Sequence, residues 1–582
     1  QLGDFLVENQ MPLSFVGQSW RIDWTPRLIF PQLSDGSQVR LTTLAPSRGN
    51  IYDRDGLGLA VQGRAVEVGI VPGLLEDEAA TLAQLSAALK ETPDAIEMRY
   101  AGVDPNWYVP LGELDLAEGQ AQYEALSALA GVRLREAWAR SYRPEVIAPH
   151  VVGLVGPIPK EQAATWRARG YTGDEFVGWM GLERWGEPYL AGERGGRLEI
   201  VDAGGQVTAV LTEKSPQESL NLYTTFDRAF QQEVQTILGQ RIGAIVVLEA
   251  STGRVLALAT YPTFDPNAFA NGITEADWLE LQNDPGRPLV NRAAQGLYPP
   301  GSVFKVVTTA AALEATDLTA DSTFVCEGTW TKLGSEFPKR CWLRTGHGQL
   351  DLAKALTVSC DITFYEIGLI LDQLDPGLLP DYAQRFGLGR RSGIEVEEEA
   401  GLVPNPLWKM QNKGEGWAPG DTVNLAIGQS ELLVSPLQMA MILAAVGNGG
   451  VLYRPSVLEM IASDPANSQG EPAVEVFEPM ATGLLQVSPE NLAVIRRSLL
   501  EATRAADGTT DNAFQGLSMQ VAGKTGTAES GAEMPHAWFV GYAPAEEPEI
   551  AIAVVLEHAG TGGQEAAPLF RQVVESYFEV GR

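Results

Sequence analysis

Apolar positions along this chain recur in two rhythms, and their alternation lays out its elements. Residues 14–23 (SFVGQSWRID) alternate apolar and polar side chains, the period of a strand. AVEVGIVPG (65–73) reads as a strand closed by a turn, and EDEAATLAQLSAALKE (76–91) as an amphipathic helix. FDRAFQQEVQTILGQR (226–241) predicts a helix. GAIVVLEASTGRVLALATYP (243–262) is two apolar, β-branched runs about a Ser-Thr-Gly turn, which predicts a hairpin. After a helix-rich middle, HAWFVGYAP (536–544) and EIAIAVVLE (549–557) return to strand character, and EAAPLFRQVVESYFEV (565–580) predicts a closing helix. Strands at both ends of this segment predict one antiparallel sheet assembled from the two ends, with helices packed on it.

The texture also divides the chain. Its 582 residues exceed what one core usually serves. Residues 1–45 are short and mixed. Residues 46–215 are rich in charge, glycine and short strand-like runs, an elongated α+β region. From about residue 221 the helix-and-sheet pattern takes over, to residue 582. The stretch nearest to a membrane span, 434–453 (VSPLQMAMILAAVGNGGVLY), contains Pro436, Gln438 and Asn448, so a buried helix followed by a turn is expected there. The chain opens at Gln1 without a signal-peptide core, and a membrane anchor is expected upstream of it.

Charge and cysteine usage narrow the function. The 42 basic against 74 acidic residues leave −32, a surface that repels phosphate backbones and argues against nucleic acid as a partner. Cys326, Cys341 and Cys360 are too few for a disulfide scaffold, and no CxxC pair or Cys/His cluster has zinc-like spacing. His150, His347, His536 and His558 are scattered. No metal and no cofactor is expected.

Three short motifs carry candidate chemistry. In YPPGSVFKVVTTAAALE (298–314), Pro299-Pro300-Gly301 cannot continue a helix, so Ser302 stands at a helix start, where free N–H groups favour developing negative charge. Lys305 lies one turn on, and a desolvated lysine can take the proton of a serine hydroxyl. In ALTVSCDITFYEIG (355–368), Ser359-Cys360-Asp361 offers a hydroxyl and a carboxylate two residues apart. In MQVAGKTGTAE (519–529), Lys524, Thr525, Gly526 and Thr527 read as part of a cleft-lining strand that suits a carboxylate. Singly, each motif reads as well as an N-cap, a turn or a helix start.

In the order SxxK, Sx(N/D), KTG, the three together are the set shared by penicillin-binding proteins and class A β-lactamases. Residues 221–582 resemble the penicillin-binding transpeptidase domain, with GRVLALATYPTFDPN (253–267), GHGQLDLAKAL (346–356) and LAIGQSELLVSPLQMA (425–440) also matching. SRGNIYDRDGLGLA (47–60), APHVVGLVG (148–156) and GWMGLERWGEPYLAGERGG (178–196) resemble signatures of the class B pedestal, or dimerisation, domain at 46–215. WTPRLIFPQLSDG (24–36) is similar to the end of the NTF2-like domain of the methicillin-resistance-type subgroup, so residues 1–45 would be its tail. The implied fold is multidomain α+β: a pedestal followed by a transpeptidase domain with a central antiparallel sheet covered by helices.

The resemblance implies a D,D-transpeptidase that cross-links peptidoglycan stem peptides at the extracytoplasmic membrane face and is acylated by β-lactams. A membrane-embedded glycan polymerase would be a partner. Ser302 would be the nucleophile, Lys305 its base and Ser359 a proton relay. The N–H groups of Ser302 and Thr527 would form the oxyanion hole. Lys524, Thr525 and Thr527 would hold the terminal carboxylate, with Gly526 admitting the substrate backbone. Most relatives carry Asn at the place of Asp361. A carboxylate beside Lys305 would favour its charged form, which cannot act as base, so Asp361 is expected to point away from Lys305, towards Lys524 or a backbone donor, and Asp361→Asn to keep acylation within about tenfold. Arg48, Asp53 and Arg54 are read as an interdomain salt-bridge and turn element, and His347 and His536 as structural. A Cys326–Cys341 disulfide is expected, with free thiols as the alternative, and Cys360 free. The rival readings are a β-lactamase or β-lactam sensor, and a catalytically idle scaffold for a polymerase.

Overall fold

The computed structural model describes residues 2 and 6–580, apart from residues 35, 90, 174, 203–205, 271, 464–473, 530 and 532. The two ends of the C-terminal segment meet in one sheet. Gly243–Glu249 pairs antiparallel with Val255–Tyr261 on one side and Ile550–Leu556 on the other, and His536–Ala543 and Ala522–Ala528 complete five strands. Ile245, Val247, Ile552 and Val554 pack with Phe230, Val234 and Phe570 of helices Arg228–Leu238 and Ala567–Val580. Val246, Leu248, Ala553 and Val555 face the helical middle of the segment. Both faces are covered, which is why these strands read as unbroken apolar runs rather than as alternations.

The opposite face carries helix Lys305–Ala315, with Val306, Val307, Ala310 and Ala311 inaccessible to solvent, and helix Pro436–Gly447. Ser435 Oγ accepts from Gln438 N while Gln438 Oε1 accepts from Ser435 N, a reciprocal cap that starts the second helix where Pro436 cannot donate. Gly449 and Gly450, at φ +95° and +104°, turn the chain after it. The apolar stretch 434–453 is thus a buried helix and a turn, and no helix among the described residues is long and apolar enough to cross a membrane.

Upstream, the long strand Gly58–Ile70 pairs with Val109–Asp115 and with Val132–Tyr142. Val68, Ile70 and Val109 form a separate small core with Leu82 and Leu85 of helix Glu78–Leu89 and Ile96 of helix Pro93–Tyr100. Gln38–Leu44, Gly195–Val201 and Val207–Lys214 make a three-stranded sheet beside it. Ile51–Tyr52 runs parallel to Asn221–Thr224, which pairs in turn with Leu458–Ala462, so one sheet joins the front of the chain to its last third.

Arg48 donates to Glu183 Oε2 (2.7 and 2.9 Å) and Glu187 Oε2 (2.8 Å), and Arg140 donates to Glu183 Oε1 (2.5 Å). All four side chains are nearly or wholly buried, so deleting one would leave an uncompensated charge, at a cost of about 3–5 kcal/mol. Arg48 is therefore a strut within the upstream region, not the interdomain bridge expected of it. That bridge is Arg54, which reaches Asp227 Oδ2 (2.8 Å), the N-cap of helix Arg228–Leu238. Asp53 is the turn element, accepting from the N–H groups of Asp55 and Leu57. Residues 14–23 form a two-stranded hairpin, Leu13–Val16 against Ser19–Ile22, instead of one strand. Gly17 and Gln18 both take positive φ (+56° and +71°), the two-residue turn that matches strand twist.

Candidate active site

Pro299 and Pro300 keep the chain out of helix until Gly301, which takes φ +56°. One 3-10 turn, Gly301–Phe304, then carries Ser302 into helix Lys305–Ala315. The turn is tied down at both sides: Gly301 N donates to Gly428 O (2.9 Å) and Trp538 Nε1 to Pro299 O (3.1 Å). Lys305, the first residue of the α-helix proper, is completely buried. Strand Ala522–Ala528 runs alongside with Lys524, Thr525, Gly526 and Thr527. A side chain at Gly526 would meet Pro300 O at 2.7 Å and Val303 Cγ2 at 2.9 Å. Glycine is needed there because the Ser302 turn approaches the strand closely.

The second motif closes the site from the other side. Helix Leu352–Thr357 ends, Ser359 takes φ +56°, and helix Asp361–Leu374 begins. Lys305 Nζ donates to Ser359 O (2.9 Å), Ser359 Oγ (3.2 Å) and Asp361 Oδ1 (2.6 Å). Three acceptors from the second motif converge on Lys305 Nζ. Asp361 thus turns towards Lys305, contrary to expectation, while its second oxygen does meet an expected backbone donor, Trp342 N (2.9 Å). Lys524 is also wholly buried. Desolvation, and then the neighbouring charge of Lys305, push its pKa well below the usual lysine value, while Asp361 opposes the shift. All three motifs therefore converge on one place, with two lysines, a serine and a carboxylate in contact or electrostatic reach.

The contact geometry changes what Asp361→Asn should do. An amide keeps one carbonyl oxygen and replaces the other with a donor, so either Lys305 or the Trp342 N–H loses its acceptor. Acylation is expected to fall about ten- to a hundredfold, with Asp361→Ala lower still. Acylation rates of the three proteins by one penicillin test this; an unchanged rate in the Asn variant refutes the two-donor account.

The fold assembles a cluster that sequence spacing did not disclose. Cys326, Cys341, His347 and Cys360 bring three sulfurs and an imidazole nitrogen within 4.8 Å of one another. The Sγ atoms of Cys326 and Cys341 each lie 3.5 Å from His347 Nδ1. All three cysteines are free, so the expected Cys326–Cys341 disulfide is absent and His347 is a member of the cluster. A hydrogen bond shared with Cys360 draws the Cys341 thiol below the usual cysteine value. Tetrahedral zinc with ordinary bond lengths sets its sulfur and nitrogen ligands about 3.5 Å apart and its sulfurs about 3.8 Å apart, so the donor set and spacing fit that ion. With four protein ligands such a site is closed, and its contribution would be structural. No CxxC signal could have found it, because the donors come from strand Thr323–Cys326, two loop positions and the residue between Ser359 and Asp361.

Comparison with known proteins agrees with this geometry. The penicillin-binding protein transpeptidase domain matches residues 243–575, and the penicillin-binding protein dimerisation domain matches residues 43–224. The chain belongs to the penicillin-binding proteins that join these two domains. The peptidoglycan D,D-transpeptidase MrdA of Escherichia coli K12 is 31% identical over 569 residues, 93% of this chain and 88% of its own. That of Haemophilus influenzae is 31% identical over 576 residues, 94% of this chain and 86% of its own. The structure of Helicobacter pylori PBP2 in complex with MreC superposes with TM-score 0.79 at 28% identity, covering 94% of this chain and all of that one. Within the family, this protein is a serine-type peptidoglycan D,D-transpeptidase, acting by acyl transfer between cell-wall peptide stems.

Proposed function

We propose that Ser302 Oγ attacks the penultimate D-Ala carbonyl of a stem peptide, with Lys305 and Ser359 moving the protons. The observation that supports this most directly is Lys305 Nζ bridging the hydroxyl of Ser359 and the carboxylate of Asp361, one turn from Ser302. As the neutral amine, Lys305 accepts the proton of Ser302 while the new C–O bond forms, and passes it on to Ser359. The oxyanion sits on the N–H groups of Ser302 and Thr527. The acyl C–N bond breaks as Ser359 delivers a proton to the departing D-Ala amine. An amine of a neighbouring stem then attacks the ester, releasing Ser302 and forming the cross-link. Lys524, with Thr525 and Thr527, receives the terminal carboxylate, whose arrival favours the charged form that burial disfavours in the free enzyme.

The same reading extends to setting and partners. Residues 46–215 serve as pedestal and 221–582 as catalytic domain, outside the cytoplasm and anchored by a segment beyond this chain. Residues 1–45 derive from an NTF2-like domain; the family matches begin only at residue 43. A glycan polymerase is the natural partner: besides the MreC complex, a structure described as coordinating polymerization and crosslinking in a peptidoglycan synthase complex superposes at TM-score 0.71 and 28% identity. Intact-mass spectrometry after incubation with benzylpenicillin tests the chemistry. A single adduct of the whole drug that persists for hours is expected. Rapid return to the free mass would favour a lactamase, and no adduct an idle scaffold.

A further inference from the structure

Ser359 keeps φ +56°, a left-handed conformation that a non-glycine residue holds only when its surroundings impose it. Helix Leu352–Thr357 supplies part of the constraint, through Cys360 N on Ala355 O (2.9 Å) and Ser359 N on Leu356 O (3.3 Å). Lys305 Nζ, on Ser359 O and Oγ, supplies another part, and a third comes from one residue outside the motif. Trp342 Nε1 donates to Val358 O (3.0 Å), and Trp342 N donates to Asp361 Oδ2 (2.9 Å). The two bonds bracket Ser359, on the peptide before it and on the carboxylate two residues after it. Trp342 lies on the excursion between strands Thr323–Cys326 and Gly348–Asp351; it is 54% exposed, and its ring stands edge-on to His347.

We propose that Trp342 is a positioning residue for the transpeptidation chemistry. It clips the Ser359 backbone in its left-handed turn, so that the carbonyl and hydroxyl of Ser359 both meet Lys305. Without the indole N–H, the Val358 peptide is free to rotate and Ser359 relaxes towards an ordinary conformation. The hydroxyl then leaves Lys305, and the proton path lengthens. This rests on the reading of Ser359 as proton relay.

Two variants isolate the clip: Trp342→Phe, and replacement of Trp342 by 3-benzothienylalanine, which keeps the indole shape and loses only the N–H. Stopped-flow acylation by a fluorescent penicillin separates non-covalent binding from the acylation step, with Ser302→Ala as blank. Both variants are expected to acylate roughly three- to tenfold more slowly, with drug binding and Tm unchanged. Wild-type acylation rates in both, a defect in binding alone, or a normal rate in the benzothienyl variant beside a slow Phe variant would each overturn the clip. Failure of penicillin to acylate the wild-type protein would overturn the acyl-transfer reading itself, a result the variants cannot mimic.

Discussion

Ser302→Ala should abolish covalent labelling by a fluorescent penicillin while leaving circular dichroism and Tm as they are. The hydroxyl is the atom that would form the acyl bond, and removing a serine nucleophile from such a unit costs on the order of a millionfold in rate. The fold should not notice the loss. The turn around Ser302 is secured by main-chain and indole bonds at Gly301 and Pro299, neither of which uses the hydroxyl. Lys305→Ala would be a poorer probe, since it orphans Asp361 Oδ1 and the Ser359 carbonyl inside a buried site. Undiminished labelling of the Ser302 variant would remove it from the chemistry and transfer the search to Ser359.

Stripping metal from the purified protein should lower its Tm by several degrees, and adding back zinc should restore it. Three thiols and an imidazole within 4.8 Å, with sulfur-to-nitrogen distances of 3.5 Å, leave little to reorganise on binding. At a zinc concentration a thousandfold above its Kd, linkage alone contributes about 4 kcal/mol. Cys360→Ser should weaken the response, and because Cys360 stands between Ser359 and Asp361, metal loss should slow acylation as well. Elemental analysis and thermal melts with and without chelator decide the matter. A protein that carries no zinc and melts identically in both conditions, or a Cys326–Cys341 disulfide in peptide mapping, rules the site out.

The sequence by itself determined which groups are candidates for the chemistry and the order of the elements around them. SxxK after Pro-Pro-Gly, SxD and KTG are local patterns, and a helix start or a strand is set by neighbours in sequence. The strands within 243–262, 536–544 and 549–557 are largely apolar because both sheet faces are covered, and that too is written in the chain. Tertiary structure alone decided how the groups face one another. The direction of Asp361 depends on a backbone donor 19 positions away, Trp342, and on a lysine 56 positions away. The role of Gly526 depends on a proline carbonyl from a different motif. The partners of Arg48 lie 135 and 139 residues downstream, within the same region instead of across a domain boundary. The thiol–imidazole cluster joins donors from three separate stretches, so no spacing rule applies to it. Local patterns follow from torsional preference and burial period, which a short window of residues contains. Distances between motifs follow from how sheets and helices pack, which no window contains.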